Sequence, residues 1–296
     1  MKLLLTGASG LFGYRFAELA LKEGLDVYSC YSEHLVSVGH PFKLNVTNSE
    51  AMMNIFSRVR PDIVVHAAAL TDVDLCERDK FLAYRTNVDG TRNVVEACRR
   101  LSAYLVYIST DYIFLGNRGM YKEDDACNPI DYYGYSKLEG EKLVRSSGLD
   151  YLVARTSVIY GSRPAHGKIN FALWALEKLR KEEIIPVLVD QFVSPTLNSG
   201  LAEMVLEAVS RWITGVYHMA GATRISRYDF VMKLSEAFDL DRTLIRPAKM
   251  DDMNWFARRP KDSSLDVSKA SSQLRHKPLN IDGAIRRFKV EVEGLA

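Results

Sequence analysis

The sequence predicts an α/β fold, a doubly wound parallel sheet with a smaller C-terminal lobe, and three observations carry that prediction. A buried-type apolar run, Leu3-Leu4-Leu5, leads at once into a glycine-rich turn. Strand-like and helix-like segments then alternate through the first half with short connections. After about Arg155 that rhythm changes.

The opening strand runs into Thr6-Gly7-Ala8-Ser9-Gly10-Leu11-Phe12-Gly13, with glycines three apart. Gly7 supplies the backbone angles of a tight turn, Gly10 lets the main chain approach a pyrophosphate, and Gly13 allows close helix-to-strand packing. Free N–H groups and the dipole at the start of the next helix favour an anion. The stretch reads as a phosphate-binding turn because it follows a strand and opens a helix, as that mechanism requires.

Each later element has its own signal. Tyr14 to Glu23 places Phe16, Leu19 and Ala20 at helical spacing and stops at Gly24, a C-cap residue. Asp26 to Tyr31 is a second strand and Phe42 to Val46 a short third. Ser49 caps a helix through Met53, Ile55, Phe56 and Val59 that ends before Pro61. Ile63-Val64-Val65 runs into His66-Ala67-Ala68-Ala69, small residues against which a flat ligand can lie. A long helix over Leu82 to Leu101, a strand over Tyr104 to Ile108, a helix over Tyr132 to Ser147 and a strand over Tyr151 to Ala154 follow. Repeated strand-helix-strand order argues for a parallel sheet covered on both faces, with ligands at the carboxyl ends of its strands. Beyond Arg155 come Pro164, Gly167, a helix near Asn170 to Lys181, a strand Ile185 to Val189, and a last third rich in Arg, Lys and Ser. Leu201 to Trp212 and Val216 to Ala220 return to the main sheet.

Composition narrows the function classes. The 296 residues suffice for one large or two smaller domains, and the net charge of +2, with both signs interspersed, makes nucleic acid or an anionic membrane an unexpected partner. No apolar run approaches the roughly 20 residues that span a bilayer. Because the first strand is read at the start of the sequence, no signal peptide is expected. Cys30, Cys76, Cys98 and Cys127 lie far apart without disulfide or metal spacing. A cytoplasmic, reducing location is expected. No metal site is expected either: His66 and His218 stand at strand ends as core or rim histidines, and Asp72, Asp74 and Glu77 read as a solvated helix start.

The chemistry lies at the end of the fifth strand and in the helix after it. Ser109-Thr110-Asp111 follows the strand, and Tyr133-Gly134-Tyr135-Ser136-Lys137 puts a phenol and an ammonium one helical turn apart on one face. A cation within about 4 to 6 Å lowers a phenol by roughly one to three pH units from its ordinary value near 10. Tyr133 can then exchange a proton with a carbonyl oxygen near neutral pH, while Thr110 hydrogen-bonds the same oxygen.

At these residues the chain resembles the extended short-chain dehydrogenase/reductase family. The resemblance rests on Gly7, Gly10 and Gly13, on Ala67-Ala68-Ala69, on Asn87-Val88-Asp89-Gly90-Thr91, and on the Tyr133/Lys137 pair. Ser109-Thr110-Asp111-Tyr112-Ile113-Phe114, Arg155-Thr156-Ser157, Gly167 to Asn170-Phe171, Asp190-Gln191, Pro195-Thr196, Arg259-Pro260, Ser263 and Leu265 look like its dTDP-4-dehydrorhamnose reductase branch. The likeness covers nearly the whole length and implies a Rossmann-type sheet. Residues 1–162 with about 192–221 would form the dinucleotide-binding domain, and about 163–191 with 222–296 a substrate-binding lobe.

The resemblance further implies that Thr110, Tyr133 and Lys137 are catalytic. Hydride would pass from NADPH or NADH to the C4 keto carbon of a nucleotide-linked deoxysugar, with Lys137 also gripping the nicotinamide ribose. Coenzyme contacts would come from Gly7, Ser9, Gly10, Leu11, Phe12, Gly13, Ser32, Asn45, Val46, Ala67, Ala68, Ala69, Asn87, Ser109, Tyr133 and Lys137. Substrate contacts would come from Thr71, Thr110, Asp111, Tyr133, Val158, Asn170 and Arg259, with Arg258 and Lys168 as further cations for a diphosphate. Glu33 falls late for a ribose-binding acid, and Ser32 with Arg15 tolerates a 2′-phosphate, which favours NADPH and leaves NADH open. Two positions bear on the choice of sugar: Val158 stands where many relatives carry a tryptophan, and Leu115 where aspartate is frequent. A homodimer through the helix around Leu82 to Val95 is expected by fold analogy. Two other functions stay open: a nucleotide-sugar epimerase or dehydratase using NAD, and an NADP-binding regulatory subunit resembling the beta subunit of methionine adenosyltransferase.

Overall fold

Leu3, Leu4 and Leu5 are each fully buried because their strand, β1 (Lys2–Thr6), lies mid-sheet with helices on either face. Beside it run β2 (Asp26–Tyr31), β3 (His40–Lys43), β4 (Ile63–His66), β5 (Tyr104–Thr110) and β6 (Tyr151–Thr156), all parallel. Their order is β3, β2, β1, β4, β5, β6, and Gly215–His218 closes the sheet beyond β6. The chain doubles back between β1 and β4, and ligands of such sheets bind at that reversal. This computed structural model describes residues 1–163, 165 and 168–294; Pro164 and Gly167, marked in the sequence, lie outside them.

Alternate side chains of each strand feed two cores. On one side Leu3, Leu5, Val106 and Ala154 pack against Phe16 of α1 (Leu11–Lys22) and against Leu201 and Val205 further along. On the other, Leu4, Val64, Leu105 and Val153 meet α2 (Ser49–Val59) and the helices after β4. Each such buried leucine or valine contributes roughly 1.5–3 kcal/mol.

Three local expectations are corrected. The third strand starts earlier, at His40, because pairing with β2 sets it and not an apolar run. The cap of α2 is Asn48, whose side chain accepts from Ala51 N at 2.9 Å, with Ser49 already helical. The helix expected over Leu82 to Leu101 is α4 (Lys80–Tyr84), a π-helical turn (Arg85–Asp89) and α5 (Gly90–Leu101), preceded by α3 (Val73–Arg78). Such turns recur at functional sites. Phe81 and Leu82 are exposed on this helix, whereas Val94 and Val95 face inward. Next comes α6 (Tyr132–Arg145), capped by Asp131, which accepts from Gly134 N at 2.8 Å.

Past β6 the chain forms β7 (Ile159–Tyr160), α7 (Phe171–Arg180), β8 (Ile185–Leu188), β9 (Phe192–Val193) and β10 (Thr196–Leu197). Then follow α8 (Asn198–Ser210), the edge strand β11 (Gly215–His218), β12 (Ile225–Ser226), α9 (Arg227–Ala237), β13 (Ile245–Ala248), α10 (Ser268–Gln273) and α11 (Ile281–Glu293). Helix α8 supplies Leu201 and Val205 to the sheet core, while α7, α9 and α11 enclose a separate core around Tyr160, Phe230 and Phe288. Among the described residues no helix is long and apolar enough to cross a membrane.

One buried ion pair clamps the carboxyl edge of this sheet. Arg155 at the end of β6 donates to Glu141 of α6 through Nε (3.0 Å) and Nη2 (2.9 Å), and Ser109 Oγ of β5 donates to the same carboxylate at 2.5 Å. Both charged side chains are essentially inaccessible to solvent. Removing one partner leaves the other as an unpaired buried charge, so Glu141→Gln is expected to lower the unfolding free energy by about 3–5 kcal/mol. Equilibrium urea unfolding measures it, and a loss under about 1 kcal/mol would mean that the pair bears no such burden.

Candidate active site

Thr6 and His66 pair across β1 and β4, so Gly7 and Ala67 leave the sheet side by side. A chain of bonds fixes this junction: Thr6 Oγ1 lies 2.7 Å from His66 Nδ1, and His66 Nε2 lies 3.0 Å from Thr91 Oγ1. Thr91 donates its own proton to Asn87 O at 2.6 Å, so it accepts from Nε2–H, and Nδ1 accepts from Thr6. Burial, followed by the Lys137 charge, pushes His66 down to about 3, which keeps it neutral.

The glycine turn leaves no room for side chains. A Cβ on Gly7, where φ is +73°, would stand 2.6 Å from Ala68 N, and one on Gly13 would stand 2.2 Å from Gly7 O. Gly10, the N-cap of helix α1, provides no side-chain cap, and the first turn of the helix carries no acid. Its first N–H groups therefore lack intrahelical acceptors, and Leu11, Phe12 and Gly13, which carry them, line a cleft of about 660 Å³. A backbone cradle with unpaired donors fits the pyrophosphate of a dinucleotide.

Thr110, Tyr133 and Lys137 line the same cleft. The Thr110 hydroxyl hydrogen-bonds the Tyr133 phenol, and the Tyr112 ring meets the Tyr133 ring edge-on at 5.8 Å. Burial lowers Lys137 to about 7, with Glu141 acting in the opposite direction. The expectation that Lys137 depresses the phenol is corrected here. Burial raises Tyr133 above its ordinary value; Asp111, Cys76 and Asp131 add to the rise, and only the Thr110 bond opposes it. Tyr133 is therefore protonated at neutral pH.

Most residues marked in the sequence share this cleft: Gly7, Ser9, Gly10, Ser32, Asn45, Val46, Ala67, Ala68, Ala69, Thr71, Ser109, Asp111, Val158, Asn170 and Lys168. Several have polar groups already engaged. Asn45 Oδ1 accepts from Thr47 N and Thr47 Oγ1, Ser109 Oγ donates to Glu141, and Asn170 caps α7 and donates to Gly161 O at 2.8 Å. Asp111 is buried and accepts from Thr110, Ser157 and Ser263; its carboxyl is raised, burial being the main cause. Asn87 stands behind the wall: it accepts from Leu70 N (2.8 Å) and donates to Leu70 O (3.0 Å) and Ser136 Oγ (2.9 Å).

One expectation about charges holds only in part and another is corrected. Arg15 lines a cavity that adjoins the cleft and shares Ser9, Gly10 and Leu11 with it, and its guanidinium pairs with Glu18 at 3.2 Å and Glu291 at 3.7 Å. Asp74 is no merely solvated helix start, since it accepts from Phe256 N, Ala257 N and Arg259. That bond leaves Arg259 in a neighbouring cavity of about 290 Å³, while Arg258 is exposed.

Sequence reasoning missed that cavity. Tyr112 and Arg227 line both it and the cleft, and Phe171, Trp174 and Trp255 add aromatic faces. Arg227 donates to Gln191 Oε1 at 2.8 Å and has no carboxylate at ion-pair distance among the described residues. A desolvated cation with neutral partners is suited to an incoming anion. No sequence signal marks Arg227, because Tyr112, Gln191 and Arg227 meet only in the fold.

The RmlD substrate binding domain family matches residues 1–292. The chain belongs to this family. It is 30% identical to dTDP-4-dehydrorhamnose reductase from Bacillus anthracis str. Ames, solved in complex with NADP; the TM-score is 0.88 over 98% of this chain and 99% of that one. It is 29% identical over 304 residues to the dTDP-4-dehydrorhamnose reductase of Aggregatibacter actinomycetemcomitans, covering 99% of each. It is also 29% identical over 283 residues to methionine adenosyltransferase 2 subunit beta of Bos taurus, covering 90% of this chain and 81% of that protein. Membership makes the chain an NAD(P)H-dependent oxidoreductase of the extended short-chain dehydrogenase/reductase type.

Val158 carries backbone strain within the cleft of this family member. Its φ is +38°, a left-handed conformation that a β-branched residue rarely adopts, and its carbonyl accepts from Thr196 N at 3.1 Å. Asparagine tolerates that region, so Val158→Asn is expected to raise unfolding stability by about 1 kcal/mol. A lower urea midpoint for the variant would contradict this.

Proposed function

We propose that the chain reduces the keto group of a nucleotide-linked sugar with NADPH, and that dTDP-4-dehydrorhamnose is the substrate. The observation that carries the reading is a single cleft lined by both the glycine turn and the Thr110, Tyr133 and Lys137 side chains. The names of the bacterial relatives support the choice of sugar.

The turn at Gly7 and Gly10, the first N–H groups of α1, and Ala67 to Ala69 would hold the coenzyme. When bound, a nicotinamide coenzyme supplies hydride-transfer chemistry. Tyr133, protonated at neutral pH, gives its proton to the carbonyl oxygen as the carbonyl carbon is reduced to an alcohol. Thr110 hydrogen-bonds the same oxygen and fixes its place against the phenol. Lys137 contributes positive charge beside the phenolate left behind. Arg227 and Arg259 receive the diphosphate, and Trp174 and Trp255 offer faces for the base. Asp111 has both oxygens engaged, which leaves it without a free role as the second acid or base an epimerase or dehydratase needs.

A second reading, a coenzyme-binding regulatory subunit, has the likeness to the bovine beta subunit in its favour. One assay separates the two: purified chain, NADPH and a panel of 4-keto nucleotide sugars, followed by the absorbance of the reduced coenzyme. Turnover of dTDP-4-dehydrorhamnose is expected. Tyr133→Phe should lower kcat by about 10²–10⁴-fold with coenzyme affinity retained, and Arg227→Met should raise KM by roughly tenfold or more. Tight NADPH binding with no sugar consumed, together with co-purification of an adenosyltransferase, would favour the regulatory reading.

A further inference from the structure

Lys137 is buried, yet among the described residues its ammonium has no hydrogen-bond or ion-pair partner. What it has is a ring. Lys137 Nζ lies 4.1 Å from the centroid of Tyr107, well inside the roughly 6 Å over which an aromatic face attracts a cation.

The ring is held in place from several sides. Tyr107 belongs to β5 and is completely buried on a sheet face otherwise made of Leu4, Val64, Leu105 and Val153. Its hydroxyl donates to Lys137 O at 3.3 Å, and its ring lies 5.6 Å from that of His66. Helix α6 accommodates the hydroxyl only because residue 140 is glycine: a Cβ there would stand 2.2 Å from the Tyr107 oxygen. An aliphatic residue at 107 would put hydrocarbon where the ring face now stands, which disfavours charge on that side of the ammonium.

We propose that Tyr107 is a positioning residue for the reaction: the face of its ring seats the Lys137 ammonium beside the cleft and helps it keep its proton. The inference rests on the reading of Lys137 as a working group of the active site. The charged and titratable groups around the ammonium are Glu141 and Tyr133 on its own helix, His66 on β4, Asp111 beyond β5, and Arg155 on β6 through its bond to Glu141. His66 is neutral, so the ring and Glu141 are the two features that favour the charged lysine.

The test exchanges the ring's electrons without exchanging its shape. Tyr107→Phe retains the face, and trifluorophenylalanine at the same position, introduced by codon suppression, withdraws its negative charge. The phenylalanine variant is expected to keep kcat/KM within about threefold of the parent chain, with the trifluoro variant roughly tenfold lower near neutrality. The alkaline limb of the trifluoro pH profile moves to lower pH, because a lysine less stabilised as an ammonium loses its proton sooner. Unfolding midpoints check that the two variants are equally folded. Identical pH profiles and kcat/KM for the two variants would overturn the proposal. If the parent chain turns over no keto sugar, the functional reading fails by itself. The proton titration of Lys137 in the ligand-free variants then decides: a lower half-point with the fluorinated ring supports the seat, and equal half-points refute it.

Discussion

A lysine ammonium buried at the carboxyl edge of a parallel sheet is the constraint to which much of this molecule answers. Desolvation drives Lys137 down to about 7 and the Tyr133 phenol upward, so both groups are pushed toward their neutral forms. Glu141 opposes this for the lysine, and for the phenol the Thr110 hydrogen bond does. The Glu141 carboxylate stands one turn further along α6, held by Arg155 and Ser109, and the Tyr107 face stands beneath. His66, buried at the end of β4, is kept uncharged by burial and by the Lys137 charge, and its bonds to Thr6 and Thr91 fix its ring. A protonated phenol beside a lysine close to its point of ionisation is the arrangement a carbonyl reduction needs from its proton donor.

The same edge ties the glycine turn to the C-terminal third. Gly7 approaches Ala68 so closely that neither strand end can shift without the other. Beyond β5, Asp111 accepts from Ser157 and Ser263, so residues distant in sequence fix one carboxylate under the cleft. Asp74 does the same across the mouth, bonding the Phe256 to Arg259 segment. Tyr112 and Arg227 line both the second cavity and the cleft.

Much of this was legible in the sequence where the signal is local. Apolar runs such as Leu3 to Leu5 and Ile63 to Val65 marked strands buried on both faces, and the four-residue step from Tyr133 to Lys137 put the pair on one helix face. Signals created by tertiary pairing were not legible. Strand β3 begins at His40 and Pro41, which only the neighbouring β2 makes a strand, and the π-helical turn over Arg85 to Asp89 interrupts a sequence with unbroken helical spacing. The pairing of Arg15 with Glu291 of α11 and the place of Arg227 both arise from contacts between residues distant in sequence. The phenol's direction was misjudged for a related reason: spacing shows a neighbouring cation and hides the burial that outweighs it.

The most direct measurement is an NMR titration of Lys137 in the ligand-free chain, using lysine labelled at Cε and Lys137→Arg to assign the signal. Burial predicts a half-point near 7, with ammonium below and amine above. A signal that remains ammonium until the ordinary lysine range near 10.4 would show the side chain to be solvated, and the electrostatic account of the site would not stand.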